Sequence, residues 1–226
     1  MTLTRLLTRI CAAVALAMSL AGCSYLATKI LAPQKDISRF YVLTPTADTA
    51  AATPASAPGS NSSSDFTIGL GPIKIPPYLD RPEIVTRAAP NRLELSKEDR
   101  WGESIQNGFT SAMQRNLAAQ TGIENIIVFP WYNTVHIDMQ VQIDVYRFET
   151  DSDGIAHLTA KWTLLDSTGK NILYTVQSTI TQPSKPGDMT EATAALSRTV
   201  GDLSGQIANM IHQLRSQQGT HPTQLK

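Results

Sequence analysis

The chain has 226 residues, of which 19 are Lys or Arg and 19 are Asp or Glu, so its formal net charge is zero. That balance provides no basic surface for phosphates, and no nucleic-acid partner is expected. Both cysteines, Cys11 and Cys23, fall within the first 23 residues, which leaves the remainder without a disulfide and dependent on packing.

Arg5 and Arg9 precede an apolar run from Ile10 to Leu20, and the run closes on Leu20-Ala21-Gly22-Cys23. A charged start, a short apolar stretch and small residues before the cut form a secretory signal. The run falls short of the roughly 20 residues that a membrane span requires. Its last four residues resemble the lipobox of bacterial lipoproteins. The resemblance implies cleavage between Gly22 and Cys23 and acylation of Cys23. An ordinary signal with an incidental cysteine and an uncleaved anchor are the plainer alternatives. Ser24 follows the cysteine where an Asp would favour inner-membrane retention, so the same resemblance implies the outer membrane. One acyl chain holds only marginally, at about 0.8 kcal/mol per buried methylene, but such lipoproteins carry several. Removing residues 1–22 from 226 leaves 204, and losing Arg5 and Arg9 brings the charge near −2, enough chain for one domain with a real core.

Residues 23–38 read as a lipidated tether. Arg39 to Pro45 is a short strand that Pro45 ends. Thr46 to Ser64, built almost wholly from Ala, Thr, Ser, Pro, Gly and Asn, buries nothing and reads as a flexible insertion (46–64) within the domain. Phe66 to Ile75 is a second strand, with Phe66, Ile68 and Leu70 on one face and Gly69, Gly71 and Pro72 marking a bulge or edge. Pro76-Pro77-Tyr78-Leu79-Asp80-Arg81-Pro82 is a stiff turn or extended loop. Glu83 to Arg87 and Arg92 to Leu95 form a hairpin around Pro90-Asn91. The spacing of Ile105, Phe109, Ala112, Met113 and Leu117 predicts a helix from Asp99 to Gln120, stopped at Thr121-Gly122. Ile123 to Phe129 is a short strand.

Val135, Ile137, Met139, Val141, Ile143 and Val145 alternate with polar residues, the period of a strand with one buried face. Turns at Asp151–Gly154 and Asp166–Lys170 separate it from two further alternating strands, Ala156 to Leu164 and Ile172 to Ile180, giving a three-stranded meander. Asp188 as N-cap with Glu191 three residues later starts a last helix, whose stripe runs from Leu196 to Leu214. The whole reads as one α+β domain, 39–216, followed by a polar tail, 217–226. Its fold class is a largely antiparallel sheet with two long helices packed on one face.

No cofactor or catalytic constellation emerges. Gly69-Leu-Gly71 lacks the third glycine of a dinucleotide loop. No P-loop and no Gly-x-Ser-x-Gly elbow occurs. His136, Asp138 and Asp144 share a polar strand face, which reads as a solvated surface or a weak metal or acid–base candidate. Asp151 and Asp153 lack the other ligands of a calcium loop and read as a turn. No metal or cofactor is expected. Trp162 belongs to the buried alternation. Trp101 and Trp131 lie at element ends, where a core role and a partner-anchoring role both stand.

The lipobox, Phe40-Tyr41-Val42-Leu43, the run Ile68-Gly-Leu-Gly-Pro-Ile-Lys-Ile-Pro-Pro-Tyr-Leu-Asp80, the Trp101-led helix and the meander together resemble the ABC-type transport auxiliary lipoproteins, the PqiC-like family. The resemblance spans roughly residues 37–215. It implies a non-enzymatic, outer-membrane-anchored periplasmic subunit of an MCE-type lipid transport system that supports envelope integrity. Its implied partners are an MCE-domain inner-membrane protein and a homo-oligomeric ring, with energy supplied by other subunits. An assembly lipoprotein that binds peptidoglycan or another envelope protein through its wet sheet face is the alternative, and a periplasmic hydrolase ranks third. Pro77, Tyr78 and Leu79, held between prolines, lose little entropy on binding and with Trp101 are the candidate partner-binding residues. A tight turn whose Tyr78 covers the core is the other reading.

Overall fold

Ten elements follow one another along the described residues, 37–46, 66–132 and 134–219 of a computed structural model. They are β1 (Arg39–Tyr41), β2 (Ile68–Lys74), β3 (Glu83–Ala89), β4 (Arg92–Trp101), α1 (Ile105–Thr121), β5 (Ile126–Val128), β6 (Met139–Asp151), β7 (Ile155–Leu165), β8 (Ile172–Pro183) and α2 (Met189–Gly219). All of them belong to one unit, Ser38–Lys226. The signal segment with Gly22 and Cys23, the tether up to residue 36, the insertion beyond Thr46 and the tail after Gly219 lie outside the described residues.

The thirteen-residue β6 organises the sheet. Met139, Val141, Ile143 and Val145 are buried while Gln140, Gln142 and Asp144 are half-exposed, so alternation delivers one apolar face. One edge of β6 pairs with β7, antiparallel, from Gln140↔Leu165 to Thr150↔Ala156. Two strands share its other edge end to end, both parallel to it. β2 takes the first half (Ile68↔Met139 to Lys74↔Asp144) and β3 the last residues (Thr86↔Thr150, Arg87↔Asp151).

The expected largely antiparallel sheet is therefore corrected to a mixed one. β1–β4, β2–β5, β2–β6 and β3–β6 run parallel, while β3–β4, β6–β7 and β7–β8 run antiparallel. The antiparallel pairs are those joined by short turns. The parallel ones are joined through intervening elements, which carry the chain back before it pairs. Side-chain alternation reports which face is buried and is silent on the direction of the neighbour.

Three boundaries shift for physical reasons. α1 begins at Ile105, not Asp99. Ser104 caps it by accepting the Asn107 N–H at 3.2 Å. Asp99, Arg100 and Trp101 instead extend β4, where they pair with Arg39, Phe40 and Tyr41, a long-range pairing that overrides helical spacing. β6 starts at Met139, leaving Val135 and Ile137 outside it. At its far end β6 contains a bulge. Val145 faces Ala160 but Arg147 faces Thr159, so Tyr146 is the extra residue and the alternation re-phases behind it. Phe148 then points into the core, edge-on to Phe109 of α1 at 5.3 Å.

The second helix starts as its sequence predicts. Asp188 Oδ1 accepts the N–H groups of Thr190 and Glu191 at 3.1 and 3.2 Å. α2 lies over β6, β7 and β8, α1 lies over β2 and β5, and the helices pack on each other. Phe109, Met113, Leu117, Leu203 and Ile207 are fully buried between them and the sheet. The chain leaving β1 is tied to both helices, by Thr44 N–H to Ser197 Oγ at 3.1 Å and Thr46 Oγ1 to Asn116 Oδ1 at 3.1 Å. The two helices thus pack over one face of the sheet, as the sequence implies.

Two glycines separate backbone strain from crowding. Gly122, at the α1 C-terminus, has φ +67° and open space where a Cβ would sit. Gly154, in the β6–β7 turn, has φ +80° and its Cβ would lie 2.7 Å from the Ser184 carbonyl oxygen. Gly122→Ala should cost about 1–2 kcal/mol, the left-handed penalty alone. Gly154→Ala should cost clearly more in urea unfolding, and equal losses would refute the crowding.

Candidate functional site

The loop from Pro76 to Pro82 folds as a tight turn. Leu79 N–H bonds Pro76 O at 2.9 Å, Arg81 N–H bonds Leu79 O at 2.8 Å, and Trp101 N–H bonds Pro82 O at 2.7 Å. Leu79 points into the core at 4 % exposure, and Tyr78 is half-buried against it. Pro77 faces solvent.

What holds the turn is a carboxylate. The Glu149 side chain has no exposed surface. Its Oε1 accepts from Arg87 Nε at 2.6 Å and Arg147 Nε at 2.8 Å, and its Oε2 from Tyr78 Oη at 2.9 Å and the Phe148 N–H at 3.2 Å. Burying a carboxylate without partners is expensive. Here four donors surround it, two of them guanidinium groups that are themselves largely covered. Burial, then the hydrogen bond to Glu149, pushes the Tyr78 phenol up to about 12. Arg87 also donates to Pro90 O at 3.0 Å, so one ion cluster fixes the proline loop, the β3–β4 hairpin and the end of β6 together.

Beside the turn is a shallow groove of about 510 Å³ lined by Lys74, Ile75, Pro76, Pro77, Asp144 and the bulged Tyr146. Tyr146 is half-exposed, and its carbonyl lies 3.5 Å from Tyr78 Oη. The bulge presents it, and the only trace in the sequence is the slip in alternation between Val145 and Phe148. Trp101 is buried and floors a second groove, of about 300 Å³, rimmed by Asp80, Arg81, Pro82, Glu103 and Ser104. The structure therefore gathers Pro77 with Tyr146 in one groove, buries Leu79, turns the half-buried Tyr78 onto Glu149 and places Trp101 in a second groove. Trp131 is half-buried, stacked edge-on to Phe129 at 5.3 Å and lying over Gly69. Trp162 is a core residue whose indole N–H bonds Ser178 Oγ at 3.0 Å.

The scattered carboxylates serve the backbone. Asp138 accepts the Thr67 N–H at 2.8 Å and lies 3.1 Å from His136, while Asp144 pairs with Lys74 at 3.3 Å. Asp151 accepts the Asp153 and Ile155 N–H groups at 3.0 and 2.8 Å and meets His157 at 2.8 Å. Burial alone would raise its pKa, but these hydrogen bonds outweigh it and hold the carboxyl below its usual range. Among the described residues, no three His, Cys, Asp or Glu side chains are placed to share a metal ion.

Fold and site together define an α+β scaffold that displays a charge-locked proline loop beside an open groove. The chain belongs to the family of ABC-type transport auxiliary lipoprotein components, whose model matches residues 41–208. The family is that of an auxiliary lipoprotein, which names no enzyme class and implies a transporter as partner. No helix among the described residues is long and apolar enough to cross a membrane. Among solved structures, an uncharacterised protein is similar with TM-score 0.60 and 14 % identity, over 77 % of this chain and 98 % of that one. A DUF330 protein from Xanthomonas campestris is similar with TM-score 0.57 and 18 % identity, over 69 % and 89 %. At such identities the likeness concerns the fold. No curated protein sequence matches the chain.

Tyr78→Phe keeps the ring and removes one donor from a buried carboxylate, which should cost about 1–3 kcal/mol at neutral pH. The raised phenol is protonated when folded, so its contribution is complete below pH 10, where the unfolded Tyr keeps its proton, and is lost as pH rises from 10 through about 12. Denaturation curves should show the gap between wild type and variant closing across that window. A gap independent of pH would contradict the assignment.

Proposed function

We propose that the protein is an outer-membrane-anchored periplasmic subunit of an MCE-type lipid transport system, which docks on the MCE-domain inner-membrane protein and supports envelope integrity. Cys23, exposed by cleavage after Gly22, carries the acyl chains. The work of the domain is binding: it presents a surface to the transporter, in a homo-oligomeric ring, and leaves energy to other subunits. The family match over residues 41–208 is the observation that supports this reading most.

The docking surface is the proline loop. Pro77 and Tyr146 line the open groove, while Leu79 and the half-buried Tyr78 anchor the loop from beneath and Trp101 supports its far end through the bond to Pro82. A loop already fixed by the Glu149 cluster loses little conformational freedom on binding, and tyrosine and proline faces suit an apolar strip on a partner.

Pro77→Glu combined with Tyr146→Glu alters only half-exposed or exposed side chains. It should abolish co-purification with the MCE protein from solubilised envelopes while the melting temperature stays unchanged. Co-purification at the wild-type level would reject this surface. Metabolic labelling with a fatty-acid analogue should mark the wild type and leave Cys23→Ala unlabelled.

A further inference from the structure

The β3–β4 hairpin and β1 carry exposed apolar side chains that no described element covers, beside the buried Val85 and the Arg87–Glu149 contact. Glu83, Val85 and Arg87 alternate along β3 and so share a face, and their partners on β4 are Arg100, Leu95 and Leu93. Residues Ser96–Asp99 bulge out between Leu95 and Arg100, which returns Arg100 to the face of Leu93 and Leu95. Phe40 of β1 pairs with Arg100, so Phe40, Leu95 and Leu93 line one side of this ribbon. Val42 joins them, since both its Cγ1 and the Phe40 Cβ lie beside Gly102. Phe40 is 66 % exposed, Val42 55 %, Leu95 43 % and Leu93 36 %. The opposite side of the same hairpin carries Arg92 and Glu94, paired at 3.2 Å. An exposed apolar strip backed by a charged face marks a contact surface.

Its occupant follows from where the chain enters. β1 is the first described strand after Cys23, separated from it by residues 24–38, a span of no more than about 55 Å at full extension. Among the described elements, this strip is the one closest in sequence to the anchor. We infer that Phe40, Val42, Leu93 and Leu95 rest in the interfacial region of the bilayer to which Cys23 is attached, so that the domain stands on the membrane through β1 and the hairpin tip. This rests on the acylated-anchor reading above. A tether raises the effective local concentration to the order of millimolar, so even a weak contact is populated. Cations and anions alternate around the strip, with Arg39 paired to Glu98 and Asp99. The contact should therefore depend on apolar burial and respond little to salt or to anionic lipid.

The mature lipoprotein offers a direct test, because an acylated Cys23 leaves any introduced cysteine as its only free thiol. Phe40→Cys and Leu95→Cys, with Asn209→Cys on the solvent side of α2 as control, are labelled with an environment-sensitive nitrobenzoxadiazole. The full mature chain is then placed in phosphatidylethanolamine–phosphatidylglycerol vesicles. Labels at 40 and 95 should shift to the blue and be quenched several-fold more than 209 by doxyl-labelled lipid, at low and high salt alike. Labels at 40 and 95 that iodide quenches as readily as 209, on protein that floats with the vesicles, would overturn the inference while leaving the anchor intact. Labels shielded from iodide yet unquenched by lipid would also overturn it, assigning the strip to a protein partner or second copy. Failure to float, or a second labelled thiol at Cys23, would overturn the anchor reading and this inference with it.

Discussion

One buried carboxylate sets the arrangement of the proline loop, the β3–β4 hairpin and the end of β6. Glu149 has no solvent of its own, so its oxygens are satisfied by Arg87, Arg147, Tyr78 and the Phe148 amide. Those groups come from β3, from β6 and from the proline loop. Satisfying the carboxylate therefore forces three separate stretches of chain into one arrangement. Removing a charged member of a buried ion pair typically costs about 3–5 kcal/mol, more than the loss of a neutral donor. The cluster makes sense less as net stability than as a device for specifying where the loop sits.

The long strand makes that device possible. β6 offers one edge to β7 along its length and divides the other between β2 and β3. The loop that joins β2 to β3 must then cross the flank of β6 at the point where the pairing changes hands. The bulge at Tyr146 lies at this crossing and re-phases the strand, so Arg147 and Glu149 face the loop while Phe148 faces the helices. The core and the exposed surface are thus coupled through one irregularity. The docking role proposed for the loop requires a surface held still, and the Glu149 cluster ties this one to β3 and β6.

Much of this fold was legible in the sequence. The strict alternation of Met139 to Val145 and of Ala156 to Leu164 marked the meander, and Asp188 with Glu191 marked the start of α2. Periodicity encodes which face is buried, and both signals are periodic or local. Strand direction is neither, which is why the mixed character of the sheet stayed hidden. Asp99–Trp101 illustrates the same limit: the helical spacing just beyond it is real, but backbone pairing with Arg39–Tyr41, some sixty residues away, claims those residues for β4. At the site, the prolines marked a turn, and the structure has one there. Whether Tyr78 and Leu79 faced inward depended on Glu149, a residue that sits in an alternating strand like any other solvated acid. Only the tertiary meeting of Arg87, Arg147 and Tyr78 distinguishes it. Tyr146 was concealed for a related reason, since a bulge is visible in sequence only as one missed beat.

The claim that Glu149 fixes the proline loop can be read from native-state amide exchange at Leu79, Asp80 and Arg81, whose N–H groups bond within the turn. Glu149→Gln keeps the shape and removes the charge. Protection at these three amides should fall at least about tenfold beyond any change at the β6–β7 centre, since local opening is separable from global unfolding. Loop protection that changes only in step with Ile143 and Trp162 would contradict the account, because the turn would then be held by its own bonds and by Leu79 alone.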